Sequence, residues 1–349
     1  MDNKIQSVAA AATNTQFFWR TVTEEDVWNA ISGSFLGTIC KALAKNYTPK
    51  PPLPIILMQG ITLMACAFTH KKEKKIEYTV NPDGCVQTIL FGDDDPGQSP
   101  ATQSRLYINT FEGNVPNAYV LIVAPSGAGK GLTGFRSVKL LGYQTISNGS
   151  LEGIKDAAMA NPHLLIENQE FGSVLEGKGY KEDYKKGLTD MFNAGRFEDV
   201  LSARKSKDPR VCEWFYPTVY CAIQPEVLRN AGRSLDISQG LFPRFLIGYL
   251  SEKESDYDIN PCNPDLKNDL VCIQYGLCSI ARISGIVDVP NPHYNTDFSR
   301  PIREVIDKKM IPLVLRYANE YLPRIALMLA IPARVDGSLT LPKLTTEHF

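Results

Sequence analysis

Residues 118–130 read AYVLIVAPSGAGK, and this stretch decides the fold. The apolar run 118–123 is typical of a strand that is buried on both faces. A glycine-rich turn follows it directly, and the residues from there to about Leu141 are predicted to form a helix. A strand that passes through such a turn into a helix is the setting of a P-loop.

The residue types in this turn suit phosphate binding. Glycines let several backbone N–H groups point inward, and the helix that begins there adds its positive dipole end. Lys130 adds a cation for the terminal phosphates. We therefore predict that ATP is held by Ser126, Gly127, Ala128, Gly129, Lys130, Gly131 and Leu132. The alternative is a glycine-rich turn with an incidental lysine.

The turn departs from the full pattern G-x-x-x-x-G-K-[ST] at two positions. Ala124 stands at the first glycine, and Gly131 stands where a serine or threonine hydroxyl normally coordinates Mg²⁺. Thr133 lies two residues further on and is the nearest hydroxyl that this helix offers.

A second candidate region is the acidic end of the strand predicted at 163–166, which continues as Glu167-Asn168-Gln169-Glu170. ATPases of this kind place an Asp for the metal and a Glu for the attacking water at such a strand end. In one register Gln169 and Glu170 occupy these positions and Glu170 is the base. In the other, Glu167 is the acid on the metal side. We predict Mg²⁺ binding, through water, at Thr133, Glu167 and Gln169. Both usual Mg²⁺ contacts are altered, so either neighbours substitute and hydrolysis persists, or ATP binds without turnover.

Two further residues are candidates for the catalytic step. Gln224 follows the strand predicted at 218–223, where an amide can hydrogen-bond the γ-phosphate or its attacking water. An ordinary strand-to-helix turn with Pro225 in the first helical turn explains it equally well. Arg244 is a candidate arginine finger supplied to a neighbouring subunit, and the alternative is a structural arginine.

Strands and helices alternate through the middle of the chain, which predicts an α/β fold with a parallel sheet. Further strands are expected at 145–147 and 244–250, and a hairpin at 76–91. Helices are expected at about 54–69, 150–160, 180–193, 263–281 and 303–329. The predicted division is a mainly helical region (1–104), a P-loop ATPase core (105–252) and a helical C-terminal region (253–349).

Five segments, read in order, resemble the P-loop ATPase domain of phage and plasmid primase–helicase proteins. They are APSGAGKG, QEFGSVL, RKS, AIQPEVL and GLFPRFL. The resemblance covers roughly Pro51 to Leu329 and implies a RecA-like or AAA+-like, ring-forming, ATP-hydrolysing motor linked to DNA replication. It also implies a single-stranded DNA partner, with Lys130, Glu170, Gln224 and Arg244 at the family's motif positions. Gln169 and Gly131 depart from those motifs.

The composition limits the other classes. The 349 residues carry 37 basic and 38 acidic side chains, so bulk charge gives no support to a duplex-binding domain. Eight scattered cysteines without a C-x-x-C pair suit a reducing cytoplasm better than a zinc site. We expect a cytoplasmic protein with no membrane partner. The competing functions are a nucleotide-sensing or assembly module and, third, a small-molecule kinase.

Overall fold

The computed structural model describes residues 22–45, 47–48, 51–69, 75–80, 86–91, 106–109, 115–128, 130, 144–147, 150–160, 164–176, 180–192, 195–199, 210–231, 240–250, 258–259, 264–283, 285–290, 293–304, 306–335 and 339–348. The helix predicted between the glycine-rich turn and Leu141 lies outside these residues.

The strands and helices are numbered in chain order. The strands are β1 (Tyr47–Thr48), β2 (Lys75–Val80), β3 (Val86–Phe91), β4 (Leu106–Asn109), β5 (Tyr119–Val123), β6 (Gln144–Ser147), β7 (Leu164–Asn168), β8 (Gly195–Asp199), β9 (Arg210–Phe215), β10 (Thr218–Ile223), β11 (Leu246–Tyr249), β12 (Asp258–Ile259) and β13 (Gly285–Asp288). The helices are α1 (Glu24–Ile31), α2 (Phe35–Lys45), α3 (Leu53–Thr69), α4 (Leu151–Ala160), α5 (Gly172–Leu175), α6 (Tyr180–Met191), α7 (Pro225–Ala231), α8 (Pro264–Ile280), α9 (Tyr294–Arg303), α10 (Ile311–Arg316) and α11 (Leu322–Ala330).

A five-stranded, all-parallel sheet forms the centre of this mixed α/β fold. The strand order is β6–β7–β10–β5–β11. Every residue of β5 and β10 is buried, because both strands lie inside the sheet and are covered on both faces. All five predicted strands of the core are present, so the α/β class with a parallel sheet is confirmed.

The chain leaves β5 and β10 in opposite directions. From β5 it passes β10 and β7 to reach β6 at one edge, whereas from β10 it passes β5 to reach β11 at the other edge. Open parallel sheets bind ligands outside the carboxyl ends of two neighbouring strands whose connections leave in opposite directions. A hydrogen bond of 3.1 Å from the Ala124 amide to the Ile223 carbonyl joins the two strand ends at this crevice.

Helix α3 covers one face of the sheet and lies against β5, β10 and β11. The helix is apolar around most of its circumference, as expected of a helix buried in a core. Gly248 of β11 allows the close approach, since a Cβ atom there would lie 2.9 Å from Met58 Cγ of the helix. Cys66 of the same helix is buried, and burial raises the pKa of its thiol to about 12.

Helix α6 and the C-terminal helices attach to the opposite face and the amino-terminal edge of the sheet. The buried Tyr119 hydroxyl donates to the Leu188 carbonyl of α6 at 3.0 Å, and the Tyr119 amide donates to the Tyr321 hydroxyl at 3.2 Å. Arg324 is buried beside them, with its guanidinium 4.6 Å from the centre of the Phe192 ring. Its Nη1 donates to the Asn117 carbonyl at 2.7 Å.

The helix predicted at 303–329 is wrong in its extent. Helix α9 ends at Arg303, and the chain becomes helical again in the turn Lys308–Met310. Helices α10 and α11 follow, separated by a π-helical turn at Tyr317–Tyr321. Pro323 explains the turn, because proline lacks the N–H for a regular helical bond and its ring clashes with the carbonyl four residues earlier.

Among the described residues, four two-stranded sheets accompany the central one. Strands β2 and β3 pair antiparallel, which confirms the predicted hairpin. Strands β8 and β9 also pair antiparallel, as do the short β1 and β12, whereas β4 and β13 pair parallel. Only the hairpin was predicted. Within the described part of the chain, no helix has both the length and the apolar character that crossing a membrane requires.

Candidate phosphate-binding site

The turn after β5 has the backbone conformation that its glycine predicts. The Ala128 amide donates to the Pro125 carbonyl at 3.4 Å, closing a four-residue turn. Gly127 has φ 75°, as the third residue of a type II turn requires. Ser126 and Gly127 are exposed, whereas the Ala128 methyl group is buried. The predicted ligands Gly129, Gly131 and Leu132 lie outside the described residues.

Lys130 folds back over this turn. Its ammonium donates to the carbonyl oxygens of Ala124, at 2.5 Å, and of Pro125, at 2.9 Å. Burial lowers the pKa of Lys130, and the carboxylates of Glu170 and Glu226 partly offset this by raising it. The cation is therefore half-buried at the carboxyl edge of the sheet, with two acidic groups acting on it.

The backbone of Lys130 is held from the sheet. The Tyr220 hydroxyl, on β10, donates to the Lys130 carbonyl at 2.8 Å. Burial raises the pKa of Tyr220 above the usual tyrosine range, and a hydrogen bond from the Gln59 side chain of α3 lowers it in part. Sequence reasoning treated Tyr220 as an apolar strand residue and missed this contact.

The acidic segment after β7 forms a turn. Asn168, the last residue of the strand, is buried, and its Oδ1 accepts a hydrogen bond of 3.0 Å from the Glu170 amide. The Phe171 amide then donates to the Ala222 carbonyl of β10 at 3.0 Å. This second contact returns the chain to the sheet, so the exposed Glu170 lies near the carboxyl end of β10.

The two acids of the alternative registers have different surroundings. Glu167 lies inside β7, opposite Tyr220 of β10, and the Gln169 side chain donates to its carboxylate. The Glu167 carboxylate acts electrostatically on Tyr220 and Cys221, whereas Glu170 acts on Lys130. Of the two, Glu170 is the acid that the structure associates with the lysine.

The strand tip of β10 contributes a capping residue and a further acid. The Gln224 carbonyl accepts a hydrogen bond of 2.9 Å from the Leu228 amide, so this residue caps the amino terminus of α7. Its side chain is exposed beside the crevice. Glu226, in the first turn of α7, is the acid that sequence reasoning missed. Its place after Pro225, at a strand tip, was the available signal.

Arg244 lies at the other edge of the sheet. It ends a 3₁₀ turn just before β11, at the amino-terminal end of that strand. Because β11 runs parallel to β5, the glycine-rich turn after β5 lies at the opposite, carboxyl-terminal end of the sheet. Its Nη1 donates to the Gly240 carbonyl at 2.5 Å, and the Tyr321 hydroxyl donates to the Arg244 carbonyl. Burial lowers the pKa of Arg244. Within one subunit the arginine and Lys130 are not brought together.

The predicted metal ligands are only partly described. Thr133 lies outside the described residues, while the Gln169 side chain forms a hydrogen bond with the Glu167 carboxylate. The described residues contain no group of three or more His, Cys, Asp or Glu side chains placed to hold a metal. Carboxylate oxygens beside a phosphate site still fit Mg²⁺, which commonly takes one or two carboxylates and completes its shell with water and phosphate.

A scan against models of known protein families finds no match for this chain, and a search of curated proteins finds no significant relative.

Proposed function

We propose that this chain is an ATP-binding P-loop protein of the helicase-like motor class, with a RecA-like or AAA+-like core. One observation carries the proposal. Lys130 is held half-buried at the carboxyl edge of a parallel sheet, where Glu170 and Glu226 act on it. Two features support this class of core: the five parallel strands, and the opposite directions in which the chain leaves the neighbouring strands β5 and β10.

The turn has the groups that a phosphate needs. Ser126 and Gly127 are exposed, so their backbone is accessible to an anion. The Lys130 ammonium has three N–H donors, and its two present acceptors are carbonyl oxygens of the turn. Phosphate oxygens carry more negative charge than carbonyl oxygens and form stronger bonds with an ammonium group. An arriving triphosphate therefore competes favourably for this side chain.

The neighbouring side chains provide for hydrolysis. Glu170 is exposed, so water reaches its carboxylate, and we assign it the role of accepting a proton from the attacking water. We assign Gln224, which is exposed at the tip of β10, the role of orienting that water or the γ-phosphate through its amide. Bound Mg²⁺ would neutralise phosphate charge. Glu167 and Gln169 are the described residues that would hold it, through water.

The wider role follows from the resemblance. It implies a ring-forming motor that acts on single-stranded DNA in the replication of mobile elements. In such a ring Arg244 would act on the nucleotide of the neighbouring subunit, because it lies at the edge of the sheet opposite its own Lys130.

A second candidate is a nucleotide-sensing or assembly module with little or no hydrolysis. The contact between Gln169 and Glu167 favours it, since this carboxylate already has a protein partner. Gly131 also supplies no hydroxyl for the metal.

Turnover with and without DNA distinguishes the two candidates. We expect purified protein to hydrolyse ATP faster than the Lys130→Ala variant, and single-stranded DNA to stimulate the rate. Binding of ATP without turnover above this variant, and without a response to DNA, would support the sensing module instead. If the unaltered protein and Lys130→Ala hydrolyse ATP at the same rate and bind it with the same affinity, both candidate functions are excluded.

A further inference from the structure

We infer that Tyr220, held in place by Gln59, is a positioning residue that fixes Lys130 at the phosphate site. The inference rests on the proposed function of that site and adds two residues to it. Neither touches the phosphate groups in this account, and both act through the backbone of Lys130.

The hydrogen-bond directions follow from the donor inventory. The Tyr220 hydroxyl has one proton, and the Lys130 carbonyl, 2.8 Å away, has none, so the tyrosine donates to it. The hydroxyl oxygen keeps lone pairs that accept, and Gln59, whose side chain hydrogen-bonds Tyr220, has an amide N–H₂ that can donate. An amide donor lowers a tyrosine pKa, which is the direction of its effect on Tyr220.

An amide and a hydroxyl are both buried here, which costs free energy unless they are hydrogen-bonded. Gln59 is 2% exposed in a helix whose other polar side chains are two threonines, and Tyr220 is 0% exposed in a strand whose other residues are also buried. Leucine and phenylalanine would fill such positions without the cost of burying an amide and a hydroxyl. Gln59 and Tyr220 instead form a polar pair whose last hydrogen bond is to the backbone carbonyl of Lys130.

The chain of contacts connects α3 to the turn after β5. Its effect is to fix the Lys130 backbone to β10, the strand that also leads to Gln224. The ammonium is then presented at the crevice between the two strand ends. Loss of the hydroxyl would leave the ammonium in the protein but allow the backbone beneath it to move.

The test compares Tyr220→Phe with Tyr119→Phe. Each substitution removes one buried hydroxyl that donates to a backbone carbonyl, at 2.8 Å and 3.0 Å respectively, and the two lie on opposite faces of the sheet. The first readout is amide hydrogen exchange in the peptide 124–132. The second is affinity for ATP, measured by calorimetry at matched folded fraction.

We expect Tyr220→Phe to speed exchange in that peptide and to weaken ATP binding by about fivefold, as for the loss of one hydrogen bond. Tyr119→Phe should change neither, and Gln59→Met should resemble Tyr220→Phe. Added to Lys130→Ala, the Tyr220→Phe substitution should weaken binding by less than it does alone, because the two residues act as a unit.

Unchanged exchange in Tyr220→Phe, or equal effects of the two tyrosine substitutions, would overturn the inference. The exchange readout needs no nucleotide, so it separates the two claims. If Tyr220→Phe speeds exchange but the unaltered protein binds no ATP, the positioning contact is real and the proposed function is wrong.

Discussion

The Lys130 ammonium donates to the carbonyl oxygen of Ala124, the residue that ends the buried strand β5, at 2.5 Å. The side chain therefore folds back over its own turn. Two acidic groups, Glu170 and Glu226, favour its charged form, while burial opposes it. One cation and two carboxylates are thus brought together at the turn after β5.

ATP affinity should fall at high pH earlier than an ordinary lysine would allow. Burial lowers the pKa of Lys130, so the ammonium loses its proton below the usual lysine range. The measurement is ATP affinity from about pH 7 to about pH 10, a window below the reference lysine value. Lys130→Arg keeps its charge throughout and should show a flat profile. Parallel curves for the two proteins would contradict the prediction.

The same shift affects stability with the opposite sign. The folded chain loses the Lys130 proton at a lower pH than the unfolded chain, so the unfolded state binds more protons between the two pKa values. The contribution of this group to the free energy of unfolding therefore rises with pH in that window. Lys130→Ala should lack this rise in denaturant titrations.

Glu170→Gln should abolish most turnover and retain bound ATP. Loss of a general base lowers a rate by about 100-fold or more. The substitution also removes a charge that raises the pKa of Lys130, so that pKa should fall further. Single-turnover hydrolysis and nucleotide retention measure the effect, with the exposed Glu176→Gln as control. Unchanged turnover would exclude Glu170 as the base.

Arg244→Ala should lower turnover and spare ATP binding, because the guanidinium lies at the sheet edge opposite its own Lys130. Mixing gives the sharper test. Arg244→Ala subunits keep an intact site, and Lys130→Ala subunits keep the arginine, so the mixture should regain activity. Equal loss of binding and turnover, with no recovery on mixing, would make Arg244 structural.

Gly172→Ala should destabilise the fold by about 1–3 kcal/mol, as overpacking does. A Cβ atom at Gly172 would lie 2.3 Å from Cγ1 of Val227, a branched side chain of α7. Adding Val227→Ala should recover part of the loss. Gly153→Ala is the matched control, since its nearest neighbour would be Ser150 Oγ at 3.5 Å. Equal melting temperatures for the two single variants would contradict the packing argument.

Local sequence signals were enough for the central sheet. Short runs between turns and helices located its five strands, and Ser150, the first residue of the helix predicted at 150–160, accepts a hydrogen bond of 3.1 Å from the Gly153 amide. Both depend on residues close together in the chain. The three-part domain division and the roles of the site residues stay predictions.

The features that sequence reasoning missed depend on distant residues. Strands β4 and β13 pair although Leu106 and its partner Gly285 are far apart in the chain, and no local periodicity records such pairing. The π-helical turn precedes Pro323, which interrupts the regular hydrogen bonding of an otherwise helical segment. Tyr220 looks like any apolar strand residue until the fold brings Lys130 and Gln59 to its hydroxyl.

Calorimetric titration of ATP into the unaltered protein and into Lys130→Ala tests the central claim most directly. Lys343→Ala, which removes one exposed lysine, is the control for charge. We predict saturable binding by the unaltered protein and by Lys343→Ala, and at least a tenfold loss, about 1.4 kcal/mol, in Lys130→Ala. Equal affinity in all three proteins, or no binding by any of them, would contradict a phosphate site at this turn.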